Sequence, residues 1–221
     1  MKMWIRILLY LFGLFLITIG INLSIISALG ISPVSAFTYP LSEASQISLG
    51  TITVSTYTIL VLIQWILLKD QFKKKDLLQI PFSICFGFFV DFTGHMLQFL
   101  QPDAYISRLF VMLIGVVICA IGATIYITMD IVPNAPEGFN LAVAQRFQLS
   151  FSKSKILSDC MFISVGAIIS LVSFGGIIAI REGTLISAIL TGKLIGMFSK
   201  KMEPMLKKLA FEEMIMEERL A

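Results

Sequence analysis

Six apolar runs, most of them about as long as a bilayer span, constrain this chain more than anything else in it. They cover roughly Ile5 to Leu29, Thr51 to Leu68, Leu77 to Phe99, Leu109 to Met129, Ile156 to Phe174 and a shorter Thr184 to Ser199. A helix of about 20 apolar residues crosses the hydrocarbon core. Lipid offers backbone N–H and C=O groups no partner, so each run is expected as a helix. Only 14% of the 221 residues are charged, whereas a soluble domain carries about 25%. The expected fold class is an all-α membrane protein with six transmembrane helices. Residues 1–200 form its single transmembrane domain. Residues 201–221 are expected as an amphipathic cytoplasmic tail, with Leu206, Leu209, Ala210, Met214 and Leu220 near helical spacing among lysines and glutamates.

The basic residues orient the spans. Lys2 and Arg6 lie at the start of the chain, Lys69 and Lys73 to Lys75 follow the second run, and Arg146, Lys153 and Lys155 precede the fifth. Four lysines follow the sixth, whereas the other three connections hold only Arg108 and Arg181. Cytoplasmic loops are enriched in Lys and Arg, so both termini are expected in the cytoplasm and the chain in the plasma membrane. The first run is longer than a signal-peptide core and lacks an Ala-x-Ala-like site, so it is expected to be the first span.

Two stretches between runs are too polar to cross a membrane: Ser32 to Leu49, and Asn134 to Phe151, which begins 102 residues later. At that shift Gly20 falls on Gly122, Ile25 on Ile127, Phe37 on Phe139, Gln46 on Gln148 and Ser48 on Ser150. A looser match puts Gly87 over Gly192. Each half, about 5–99 and 109–199, holds three spans. An odd number makes the halves enter the membrane from opposite sides, giving an inverted 3+3 repeat of the kind used by secondary transporters. Each polar stretch reads as a turn followed by a short helix, re-entrant or interfacial. Ser32 is a candidate cap with Pro33 at the first helical position. Asn134 is another, with Pro136 early and Glu137 at capping-box spacing.

These features define candidate site residues. Helix N-termini carry free N–H groups and partial positive charge, so Ser32, Pro33, Ser35, Asn134 and Glu137 are candidates for holding a solute, one with an anionic group among the options. Ionisable residues inside spans default to functional hypotheses. Asp91, set among Phe88, Phe89, Val90 and Phe92, is the candidate solute and coupling group, with His95 one turn on as its partner. A purely structural hydrogen bond to His95, or a pairing of Asp91 with Lys193, is the competing reading.

Other chemistries find little support. Cys85, Cys119 and Cys160 lie far apart in apolar runs, and a single histidine cannot build a multi-histidine metal site. There is no His-Glu-x-x-His, Gly-x-Ser-x-Gly or P-loop. No enzyme activity, cofactor or metal is expected. The basic loops suit anionic lipid headgroups rather than nucleic acid.

Gly-Ile-Asn-Leu-Ser from Gly20, Leu-Gly-Ile-Ser-Pro from Leu29 and Gly-Thr-Leu-Ile-Ser-Ala-Ile-Leu-Thr-Gly from Gly183 resemble the bacterial YczE/YyaS/YitT family of integral membrane proteins, its YczE branch in particular. The Asp91 region is similar to that family's apolar-Asp-apolar third helix. The resemblance implies a bacterial plasma-membrane protein with no settled biochemical function. The partners expected are the lipid bilayer and an unidentified small solute, and a homo-oligomer is left open. The leading functional expectation is a secondary transporter or exporter. The alternatives are a solute-binding subunit of a larger transport complex and a non-transporting membrane scaffold.

Overall fold

In the computed structural model the described residues, 3–220 for the backbone and as far as Ala210 for side chains, form eight α-helices and no strand. In order they are α1 (Met3–Ser27), α2 (Pro33–Ser45), α3 (Leu49–Leu68), α4 (Gln79–Leu97), α5 (Tyr105–Met129), α6 (Ala135–Phe147), α7 (Phe151–Phe174) and α8 (Glu182–Leu220). Two 3₁₀ turns, Lys69–Gln71 and Lys74–Leu78, join α3 to α4. Five stretches are long and apolar enough to cross a membrane, those carrying α1, α3, α4, α5 and α7. Their outer faces expose Trp65, Phe88, Phe110 and Val172. Lipid tolerates such a surface and water does not, which marks a multi-pass membrane protein.

The antiparallel α1/α5 pair forms the centre of the bundle. Its backbones approach closely because glycines face each other. A Cβ on Gly13 would lie 2.7 Å from the Gly122 carbonyl oxygen, and one on Gly20 would lie 2.6 Å from that of Gly115. Small residues are the usual means of bringing membrane helices this close. The end of α5 is held by Arg6, whose guanidinium donates to the Met129 carbonyl at 2.6 Å and to that of Asp130 at 3.2 Å. A cation there satisfies terminal carbonyls and the negative end of the helix dipole.

Around this pair, α4 packs on α1 and α3, and α8 on α5. The two short helices fill the spaces between: α2 lies against α7 and α3, and α6 against α3 and α7. Each has 13 residues, about 20 Å of helix, too short for a span of about 30 Å. Their ends are set locally. Ser32 and Asn134 are the N-caps, as their sequence positions imply. Gln46 and Gln148 end the helices in the left-handed region at φ 57° and 53°. Ser48 and Ser150 then cap α3 and α7, accepting from the N–H groups of Thr51 and Lys153. The shift of 102 residues thus recurs in the structure: α1 and α5 are both 25 residues long, and the starts of α2/α6 and α3/α7 follow the same offset.

Several boundaries depart from the sequence reading. α7 begins at Phe151, five residues before the apolar run, because Ser150 caps it there and Lys153 and Lys155 fit its solvated first turns. α8 passes through the expected boundary at residue 200 without a break, and Leu206 and Ala210 join the buried core. The tail side chains of Met214 and Leu220, and Lys2, fall outside the described residues.

Candidate functional site

The N-termini of α2 and α6 open into one cavity of about 310 Å³. Ser32, Pro33 and Ser35 line it from α2, and Asn134 and Glu137 from α6. Ile17 and Cys119, near the middles of α1 and α5, lie on its wall. The cavity therefore sits at mid-height of the bundle. Lys155 and Asp159 of α7 also face it and form an ion pair at 2.7 Å. Ser187, Thr191 and Gly192 of α8 close the remaining side. Five of the sequence candidates meet here, and a solute in the cavity would touch two helix N-termini, an acid and an ion pair.

The backbone that brings α6 in is fixed by polar contacts in an apolar setting. Tyr10 donates from its hydroxyl to the Val132 carbonyl at 3.2 Å. Gln64 and Gln79 exchange two amide hydrogen bonds, each 3.1 Å, and Gln64 also donates to the Ala135 carbonyl at 3.2 Å. Gly138 admits that amide pair: a Cβ there would lie 2.6 Å from Gln64 Oε1. On the other flank Ser154 donates to the Asn140 carbonyl at 2.7 Å, and the Ser158 hydroxyl to the Asn140 side chain. At the α2 end, Gly30 takes φ 133° and lies against Thr184. Only glycine accepts that backbone with so little room.

The capping box expected at Asn134 does not form. Asn134 Oδ1 accepts from the adjacent Ala135 N–H at 2.9 Å, and Glu137 turns towards α5, where the Tyr126 hydroxyl donates to its carboxylate. Tyr126 is buried and Glu137 half-buried on the cavity wall. Asp159, at an expected span end, also reaches the cavity.

Asp91 and His95 lie elsewhere. Both face a shallow depression with Glu43, Gln46 and Ser48. The Asp91 carboxylate accepts from the Ser48 hydroxyl and from the Gly50 N–H, each at 2.7 Å. It therefore anchors the first turn of α3, with neither His95 nor Lys193 needed for that task. Asp91 stands in the C-terminal half of α4, beside the turn between α2 and α3 that carries Ser48. The sequence reading missed Lys155, Asp159 and Tyr126. Lys155 read as one of the basic residues of the connection before the fifth run and Asp159 as a charge close to a span end, and a tyrosine in an apolar run carries no local signal of its partner.

Residues 4–200 match the family of unknown function DUF6198, and the chain belongs to it. It is 27% identical over 190 residues to an uncharacterised protein of Haemophilus influenzae, covering 85% of this chain and 80% of that one. It is 26% identical over 190 residues to the uncharacterised protein YyaS of Bacillus subtilis, covering 86% of this chain and 90% of YyaS. No solved structure matches it.

Proposed function

We propose that this member of the DUF6198 family is a secondary transporter of a small polar solute bearing an anionic group. The observation that carries the proposal is the meeting of the α2 and α6 N-termini in one cavity beside Lys155. Pro33 and Pro136 carry no N–H, and Ser32 and Asn134 cap those of Ser35 and Ala135, so it is chiefly the helix dipole that favours an anion at these ends, and transporters with broken or half-length helices hold solutes in this way.

The reading includes an inverted repeat of two halves, α1–α4 and α5–α8, with α8 as the sixth span, both termini in the cytoplasm, and α2 and α6 re-entrant. The packing supports it. The contacts of α2 with α7, of α2 with α3 and of α1 with α4 have counterparts in those of α6 with α3, of α6 with α7 and of α5 with α8. Gly13 and Gly20 recur as Gly115 and Gly122, and each glycine meets the other's counterpart, as a pseudo-two-fold axis requires. One pair breaks the symmetry. α3 and α4 pack closely, whereas no comparable packing joins α7 to α8 among the described residues. Alternating access would exchange these two arrangements, closing α8 onto α7 and freeing α4 from α3.

The test is flux through purified protein in lipid vesicles, with a panel of labelled mono- and dicarboxylates, phosphate and phosphate esters. Uptake above protein-free vesicles, abolished by Ser32→Leu and by Lys155→Ala, is the expected result. Specific binding without flux would replace the carrier with a solute-binding subunit. Neither binding nor flux across the panel would leave a scaffold.

A further inference from the structure

Three side chains of the cavity wall are charged when ionised, Lys155, Asp159 and Glu137; Lys155 is bonded to Asp159 and also acts on Glu137, and the three do not cancel. We infer that Glu137, held by the Tyr126 hydroxyl, is the proton-binding group of the cavity, in place of Asp91. The inference deepens the transporter reading and rests on it for its consequence, but proton binding can be tested without any solute.

The geometry supports Glu137 on two counts. Its carboxylate lies on the wall of the cavity, and one oxygen already has a fixed donor in Tyr126. Asp91 is differently placed. Its two oxygens are both engaged by the start of α3, through Ser48 and Gly50. Protonating Asp91 would give up a helix cap, whereas protonating Glu137 leaves the Tyr126 hydroxyl a carboxyl oxygen to donate to.

The groups facing Glu137 come from four helices. Tyr126 and Cys119 belong to α5, Tyr10 to α1, Tyr57 to α3, and Lys155 with Asp159 to α7. The tyrosines and the cysteine are neutral near pH 7 by their ordinary values. The cavity side chains then carry a net charge of one negative with Glu137 ionised and none with it protonated. Two helix N-termini add partial positive charge. An anion therefore enters more favourably after Glu137 takes up a proton, and the bound anion in turn holds that proton. This reciprocity is the linkage a proton-coupled carrier needs.

The test is infrared difference spectroscopy on the full-length protein in lipid vesicles, titrated between alkaline and acidic pH with no solute present. The expected result is a protonated-carboxyl stretching band that is lost in Glu137→Gln and retained in Asp91→Asn. In Tyr126→Phe the band moves to higher frequency, because the carboxyl has lost its hydrogen-bond donor. This variant keeps the acid and reports on the pair should Glu137→Gln fail to fold. A band unchanged in both the Glu137 and Tyr126 variants, or one lost only in Asp91→Asn, overturns the inference. Absence of flux in the panel above would remove the transporter reading and leave the proton site standing.

Discussion

Gly13 of α1 lies directly against Gly122 of α5, where an added Cβ would come within 2.7 Å of the Gly122 carbonyl oxygen. Backbone cannot yield as a flexible side chain can, so substitution here drives the central helices apart. Overpacking of this kind typically destabilises by about 1–3 kcal/mol. Gly13→Leu is expected to lower the unfolding temperature and the yield of folded protein in detergent. Gly192→Ala, where nothing lies within 4 Å of the added atom, should leave both unchanged. Equal behaviour of the two variants in a thermal unfolding assay would remove the close approach from the account of stability.

Ser48, Gly50 and Asp91 form one anchor for the start of α3. Losing a helix cap destabilises by about 0.5–2 kcal/mol. Asp91→Ala and Ser48→Ala should each destabilise within that range, and the double variant by less than the sum, since the two share one network. Flux per folded molecule should survive Asp91→Asn. A flux lost at unchanged stability would restore Asp91 to the coupling role that its sequence position implied.

The Gln64–Gln79 pair is buried between α3 and α4 and fastens α6 through Ala135. Replacing Gln64 with Leu strands the Gln79 amide, and an unmet buried polar group is destabilising by about 1–3 kcal/mol. Replacing both with Leu removes the stranded partner. The expected order of thermal stability is wild type, double variant, then Gln64→Leu alone. A double variant less stable than the single would show that Gln79 contributes stability beyond its exchange with Gln64, and would remove the stranded amide from the account.

Five of the apolar runs, those that became α1, α3, α4, α5 and α7, and the short polar helices were legible because both rest on local signals. A bilayer demands long uninterrupted apolar sequence, and Ser32-Pro33 and Asn134 mark helix starts through their own capping chemistry. The offset of 102 could be read at Gly20 and Gln46, whose counterparts Gly122 and Gln148 carry the same backbone duty. The site was only half legible. Ser32 and Asn134 stand on its wall as expected, but Tyr126, Lys155 and Asp159 reach it through packing of α5 and α7 that no spacing along the chain encodes. At Asp91 the missing signal is of the converse kind. A carboxylate in an apolar run looks functional, and its partner Ser48, 43 residues away, supplies a structural role that only the fold brings near.

The contrast between α4 and α8 yields the prediction that bears most directly on transport. Gly87 of α4 is pressed onto α3, where an added Cβ would meet Val54 Cγ2 at 2.3 Å and the Gly50 carbonyl oxygen at 2.7 Å. Gly192, its loose counterpart on α8, faces the open cavity with nothing within 4 Å. If α8 closes onto α7 as α4 lies on α3, a bulky side chain at Gly192 has room in the present state and none in the other. Gly192→Leu should therefore unfold at the wild-type temperature yet turn over far more slowly, because its side chain occupies the space into which α8 must close. Gly87→Leu should destabilise the present state itself. Vesicle flux measured beside thermal unfolding separates the two effects. Wild-type flux in Gly192→Leu would show that the gap between α7 and α8 stays open throughout the cycle.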